Sequence, residues 1–308
     1  MGNYMASISR PANLILCAAF LFFVSMDIAK GKALLVDTTM QDDVPKVVTD
    51  GKGVPMVYVP KGTFKKGIQL DDAVEECKSL VPKNAISLAC DKNTFVTLSS
   101  ISEAEIATVS AFYIDQYEVS LGDYLDCVNV DVCETNFLKQ EMEALASGDK
   151  VQMDLPVVGP NYYQAAIYCA WRGGRLPSET EWEYAARGPK SVNFPWGNAF
   201  DGTATNFCDA NCLTSPDLQW NDGYSRRAPI TFEKDRSWAG VYNLAGNVAE
   251  WTSTRNLDEY GNFTYSRIVR GGSFESFPLD TASWSRFSYI ATENSPTIGF
   301  RCARTTQP

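Results

Sequence analysis

Cysteines punctuate this chain from Cys77 to Cys302, eight of them beyond a leader-like start that holds a ninth, Cys17. The leader is residues 1–33. Arg10 precedes the unbroken apolar run Leu14 to Val24, and small residues at Gly31-Lys32-Ala33 offer a cleavage site. That run is shorter than the roughly 20 residues a comfortable membrane span needs. A cleaved secretory signal is therefore expected, with an uncleaved anchor as the alternative and no stable span after cleavage. The chain is expected to be secreted, periplasmic or at a cell surface. An even cysteine count in an exported chain reads as four disulfides, and eight cysteines allow 105 connectivities. Spacing selects Cys77/Cys90, Cys127/Cys133 and Cys208/Cys212, leaving Cys169 and Cys302 to close most of the domain. On the loop-entropy model that last bridge contributes up to about 5 kcal/mol before strain. A four-cysteine metal site is the weaker reading, because no CxxC occurs.

The chain has no histidine at all. This removes the Ser-His-Asp triad, the Cys-His dyad, His-bound zinc and the two-His-one-carboxylate iron site. A net charge of −10 repels phosphate backbones, so nucleic acid is not an expected partner. With 45% hydrophobic and 21% charged residues, 308 residues suffice for a sizeable folded core.

Along the chain, residues 34–53 read as a polar, acidic linker and 54–308 as one domain. Met56 to Val59 reads as a strand turned into a hairpin by Lys61-Gly62-Thr63. Residues 68–108 read as an elaborated loop stapled by Cys77 and Cys90, followed by a strand at Phe112-Tyr113-Ile114. A short helix is expected from Leu121 to Val128. Asn161 caps a helix through Trp171 that Gly173-Gly174 terminates, and Ser178-Glu179-Thr180-Glu181 is a capping box for a helix through Arg187. Beyond Gly188 the chain reads as loop-rich, with short strands at Arg267-Ile268-Val269 and Gly299-Phe300-Arg301. The class implied is α+β with much irregular structure.

Six segments carry a resemblance. They are Met56 to Phe64; Phe112-Tyr113-Ile114-Asp115 with Tyr117-Glu118-Val119; Arg175 to Gly188; Phe194-Pro195-Trp196-Gly197-Asn198; Asn243 to Trp251; and Arg270 to Phe274 with Gly299 to Cys302. In this order they resemble the formylglycine-generating enzymes, or sulfatase-modifying factors. The resemblance spans about residues 54–304 and implies that family's fold, related to C-type lectins and sparse in regular secondary structure. It also implies a Cys169/Cys302 bridge. A second family bridge would have had a partner at Ala186.

Fold does not carry function. The family's oxidase activates copper through two cysteines in the segment after Gly-Gly-Ser and converts a sulfatase cysteine to formylglycine. Here that segment, Ser273 to Arg286, holds no cysteine. Ser276 stands nearest the first family position, and Asp280 and Thr281 near the second. Copper(I) needs soft thiolates, so copper is not expected, and the iron used by some relatives would need the missing histidines. No catalytic residue is assigned. Ser273, Ser276 and Trp251 mark where a groove would reveal either a metal or an open binding cleft.

Calcium is implied instead. Asn243, Gly246, Val248 and Glu250 match the family's ligand spacing, and a tight loop supplies carbonyl oxygens of the kind calcium takes in sixes to eights. A second set resembles Asn206, Phe207, Asp222 and Tyr224, the aromatic residues acting through carbonyls. The expectation is an exported, non-catalytic, calcium-stabilised binding or assembly module with a protein or glycan partner. The alternatives are an oxidase of formylglycine-generating type and a lectin-like carbohydrate-binding module.

Overall fold

A computed structural model of the chain describes residues 46–80, 90, 100–101, 103–212, 220–258 and 260–306. The leader, most of the linker, and part of the 68–108 segment lie outside these residues.

The first sheet has four antiparallel strands in the order β1 (Val47–Thr49), β2 (Pro55–Val59), β6 (Phe112–Asp115) and β11 (Ala303–Thr305). Its apolar residues alternate as the period of two demands. Val57 faces Ile114 and Val59 faces Phe112, and all four are buried. They pack on Trp182, Ala185 and Ala186 of a helix behind the sheet. Tyr58 and Tyr113 pair on the opposite face with centroids 5.5 Å apart.

Two expectations need correction here. Residues 46–53 are not linker but fold: β1 pairs with β2, and Asp50 is buried. Its carboxylate accepts from Arg172 Nε at 2.8 Å and Nη2 at 2.6 Å, while its other oxygen caps the turn at Lys52 and Val54. An acid that read as solvated is held inside by a guanidinium. The hairpin at Lys61-Gly62-Thr63 does not form either. Both edges of β2 are already taken by β1 and β6, so β3 (Gly62–Lys66) pairs with β5 (Glu105–Val109) as a separate ribbon. Gly62 is needed at the crossing, since a Cβ there would lie 1.9 Å from the Tyr184 hydroxyl.

The 68–108 segment is more regular than a loop. It contains helix α1 (Leu70–Leu80), strand β4 (Ser100–Ile101) and β5. The next helices follow their sequence signals. In α2 (Leu121–Val128) the Ser120 hydroxyl accepts from Asp123 N. A further helix, α3 (Lys139–Ser147), carries no side-chain cap and was not read from the sequence. Both α4 (Tyr162–Trp171) and α5 (Glu179–Arg187) begin with complete capping boxes, at Asn161/Gln164 and Ser178/Glu181. Gly173, at φ +75°, turns the chain out of α4.

The second sheet runs β10 (Ile298–Gly299), β7 (Ala249–Leu257), β8 (Phe263–Arg270), β9 (Ser285–Ile290), β4. The β7–β8 hairpin is longer than the short strands expected. The polar run Thr252 to Asn256 hid it, as one face of these strands is exposed at the tip. The final segment is only partly strand: Phe300 to Cys302 leave β10 as irregular chain before β11.

All four expected disulfides are present: Cys77–Cys90, Cys127–Cys133, Cys169–Cys302 and Cys208–Cys212. The Cys169–Cys302 bridge ties α4 to the irregular chain just before β11, inside a core that also holds Tyr124, Tyr168, Trp251 and Phe300. Among the described residues no helix is long and apolar enough to cross a membrane.

Candidate functional site

The segment after Ser273 is built from glycine-enabled turns. Gly271 and Gly272 have φ of +91° and +67°, and a Cβ on Gly272 would lie 2.9 Å from the Asp280 carbonyl oxygen. Polar side chains then close the loop on itself. Ser273 N donates to Ser276 Oγ at 2.9 Å, Glu275 N to Ser273 Oγ at 3.2 Å, and Phe277 N to Asp280 Oδ2 at 3.2 Å. A single 3₁₀ turn, Pro278–Thr281, follows, with the Thr281 hydroxyl donating to Pro278 O. Burial raises the Asp280 carboxyl above its ordinary range, against the Phe277 N–H that lowers it. Ser276, Asp280 and Thr281 thus bond to backbone of their own loop. Trp251 does not join Ser273 and Ser276 in a groove. It is fully buried and donates Nε1 to Pro160 O at 2.9 Å. Ala186 is fully buried against the first sheet.

The Asn243–Glu250 loop bends through three left-handed residues, Asn243, Gly246 and Asn247. Gly246 is required, since its Cβ would fall 2.2 Å from the Asn206 carbonyl oxygen. Glu250 is completely buried, and its carboxylate is already engaged. Oε1 accepts from Arg301 Nε at 2.9 Å and Nη2 at 2.6 Å; Oε2 accepts from Arg301 Nε at 2.8 Å and Trp182 Nε1 at 2.7 Å. Arg301 Nη2 also donates to the Asn243 carbonyl at 3.2 Å. The Asn243 amide nitrogen donates to Glu118 Oε2 and to Ile230 O, both at 2.9 Å. A guanidinium therefore supplies the positive charge that calcium would bring to Asn243 and Glu250.

Two buried acids beside this loop had no role in the sequence reading. Glu118 also accepts from Asn247 Nδ2 at 3.0 Å and Val248 N at 3.3 Å, and burial pushes it up to about 8, with Glu250 adding to the rise and Arg301 opposing it. Asp235 accepts from Asn243 N at 2.5 Å and Ala245 N at 3.2 Å, and burial pushes it up to about 7 against those N–H groups and Arg301. Glu118 lies in the Tyr117-Glu118-Val119 motif, where an acid before a buried valine is the only signal. Asp235 gives none.

The second set is contiguous with the first through an Asn206–Gly246 bridge. Asn206 donates Nδ2 to Arg226 O at 2.8 Å and to Asn247 Oδ1 at 3.0 Å. Asp222 Oδ1 accepts from Tyr224 N at 2.6 Å. Their other oxygens, Asn206 Oδ1 and Asp222 Oδ2, are buried with no hydrogen-bond partner among the described residues. Burying such an atom unsatisfied costs about 1–3 kcal/mol. Asp209, buried and also unforeseen, accepts from Asp222 N at 2.5 Å. Burial pushes Asp222 up to about 6, opposed by the Tyr224 and Phe207 N–H groups and reinforced by Asp209. An amide oxygen, two carboxylates and loop carbonyls are hard-oxygen donors of the type calcium takes. No cluster of three or more Cys, Asp or Glu side chains suited to a metal occurs among the described residues, so such a site would draw on amide and carbonyl oxygens.

Sequence comparison gives one family, and solved structures share the fold. Residues 41–306 match the sulfatase-modifying factor enzyme 1-like domain. The chain is 35% identical over 167 residues to the inactive C-alpha-formylglycine-generating enzyme 2 of Mus musculus, covering 51% of each chain. It is 28% identical over 259 residues to the formylglycine-generating enzyme of Mus musculus, covering 65% of this chain and 68% of that one. The first of these matches spans only about half the relative's length. Among solved structures, PvdO from Pseudomonas aeruginosa shares the fold at TM-score 0.55 and 21% identity, over 85% of this chain and 99% of that one. Treponema denticola variable protein 1 does so at TM-score 0.58 and 18% identity, with the same coverage.

Proposed function

Because this chain belongs to the family of sulfatase-modifying factor enzyme 1-like domains, we propose that it is a non-catalytic member, a calcium- and disulfide-stabilised binding or assembly module of an exported protein. One observation carries the reading: every cysteine from Cys77 onward is tied in a disulfide, and the segment from Ser273 to Arg286 has none. Copper(I) chemistry of the family type needs a free thiolate pair. Serine and carboxylate oxygens stand there instead and are spent on the loop's own backbone. A relative named as inactive supports the same reading. Four disulfides fit an oxidising compartment, as export would provide.

Calcium, in this reading, is held by Asn206 Oδ1 and Asp222 Oδ2, with the carbonyls of Phe207 and Tyr224 alongside. The ion would neutralise Asp222 and Asp209 and fasten the 206–224 segment to the Asn243–Glu250 loop. The Asn243 set is the less suited of the two, since Arg301 already satisfies Glu250.

The test is incubation with a Cys-Xaa-Pro-Xaa-Arg peptide, copper and a reductant, read by mass spectrometry. No aldehyde is expected. Aldehyde formed at more than the no-protein rate would overturn the reading.

A further inference from the structure

A cleft of about 480 Å³ opens beside the cysteine-free segment, with Phe274 in its wall. That volume suits a few side chains of a bound peptide. On a chain of net charge −10 its lining is unexpectedly cationic: Lys139, Arg226 and Arg227 against one carboxylate, Glu141. Arg227 is half-buried, donating to Pro156 O at 2.9 Å and reaching Glu141 at 3.5 Å. Burial lowers its pKa first, with the neighbouring Arg226 guanidinium adding to the fall and Glu141 opposing it. Arg226 is exposed, and no carboxylate among the described residues lies within salt-bridge reach of it. Two like charges held side by side with one weak counter-ion make an environment that favours an incoming anion.

The walls are apolar as well as charged. Phe137, Val158, Phe274 and Pro296 line the cleft. Gly159 is at φ +95°, and a Cβ there would come 3.0 Å from the Phe137 ring, so glycine is what lets that ring form a wall. The uncapped first turn of α3, Lys139 to Glu141, is also part of the lining. Planar guanidinium forks recognise carboxylates in bidentate fashion, and the apolar walls suit the side chains between them. A sulfated glycan would bring anions to the cleft but no side chains of the kind that fill such apolar walls.

We infer that this cleft docks an acidic peptide segment of a protein partner, with carboxylates on Arg226 and Lys139 and an apolar side chain against Phe137 and Phe274. The inference rests on the binding-module reading and names the chemistry of its partner. It also implies that the cleft repels a peptide bearing arginine.

The probe is a fluorescent Ac-Glu-Phe-Glu-Asp-amide peptide titrated by anisotropy against the full chain. Its Gln/Asn counterpart, an Arg-containing Cys-Xaa-Pro-Xaa-Arg peptide and a sulfated disaccharide run in parallel. The acidic peptide should bind at least tenfold more tightly than its amide counterpart and weaken as salt is raised. Arg226→Glu and Lys139→Glu should each reduce its affinity at least threefold, with an unchanged melting temperature showing that the fold is intact. The same variants should gain affinity for the Arg-containing peptide. Equal binding of the acidic and amide peptides, no binding of either at millimolar concentration, or preference for the sulfated sugar would overturn the inference. None of these outcomes would produce an aldehyde, so failure here is separable from failure of the non-catalytic reading.

Discussion

Two adjoining loops of this protein present the same oxygen chemistry and resolve it in opposite ways. Around Asn243 and Glu250, a guanidinium and an indole N–H saturate the carboxylate from within the chain. Around Asn206 and Asp222, one oxygen of each side chain is buried with no hydrogen-bond partner among the described residues. The family's ligand pattern is matched at the first loop as well as at the second. What decides between them is the partner of each oxygen, which depends on Arg301, more than fifty residues further along the chain. A ligand motif states which oxygens can meet, and the rest of the fold states which are already spoken for.

The largest expected effect breaks the self-sufficient loop. Arg301→Met removes the cation and leaves Glu250 buried and uncompensated, which costs about 3–5 kcal/mol. Urea unfolding should show that loss with and without calcium. Recovery on adding calcium would mean that the ion can replace the guanidinium, and the contrast between the loops would fail. Next comes chelation of the wild-type protein. A ligand held at a hundredfold its dissociation constant stabilises by about 2.7 kcal/mol, so excess chelator should lower the melting temperature by a corresponding step. An unchanged melting temperature would remove calcium from the account.

A pH measurement probes another place where the chain satisfies its own charge. Burial raises the Glu179 carboxyl, but Arg270, Arg286 and Lys66 more than offset this and hold it below the ordinary glutamate range. Arg286 Nε lies 2.7 Å from it. A depressed folded-state value means stability that is fully present above the unfolded value of about 4.3 and is lost as pH falls through the folded one. Glu179→Gln should flatten that acid limb, and urea midpoints from pH 6 to 3 would show it. The smallest effect is Ser178→Ala, which removes one N-cap and should cost about 1 kcal/mol regardless of calcium.

Much of the framework was legible because its signals are local. The capping boxes at Asn161 and Ser178 fixed two helices to the residue, and cysteine spacing selected three of the bridges and left the fourth pair over. The misses were non-local. Asp50 read as linker because its partner Arg172 is 122 residues away, and the hairpin after Val59 failed because β1 had taken the edge it needed. At the candidate site the eight candidate ligand positions came from the family resemblance. Glu118, Asp209 and Asp235 did not, because a buried acid differs from a solvated one only in what surrounds it.

Asp222→Asn tests the difference between the two loops most directly, since the amide oxygen can still accept from Tyr224 N while the charge is gone. Calorimetric titration of calcium into the wild type and this variant should show binding in the first and at least a tenfold weaker association in the second. Equal affinity in both proteins would place the ion elsewhere and contradict the account.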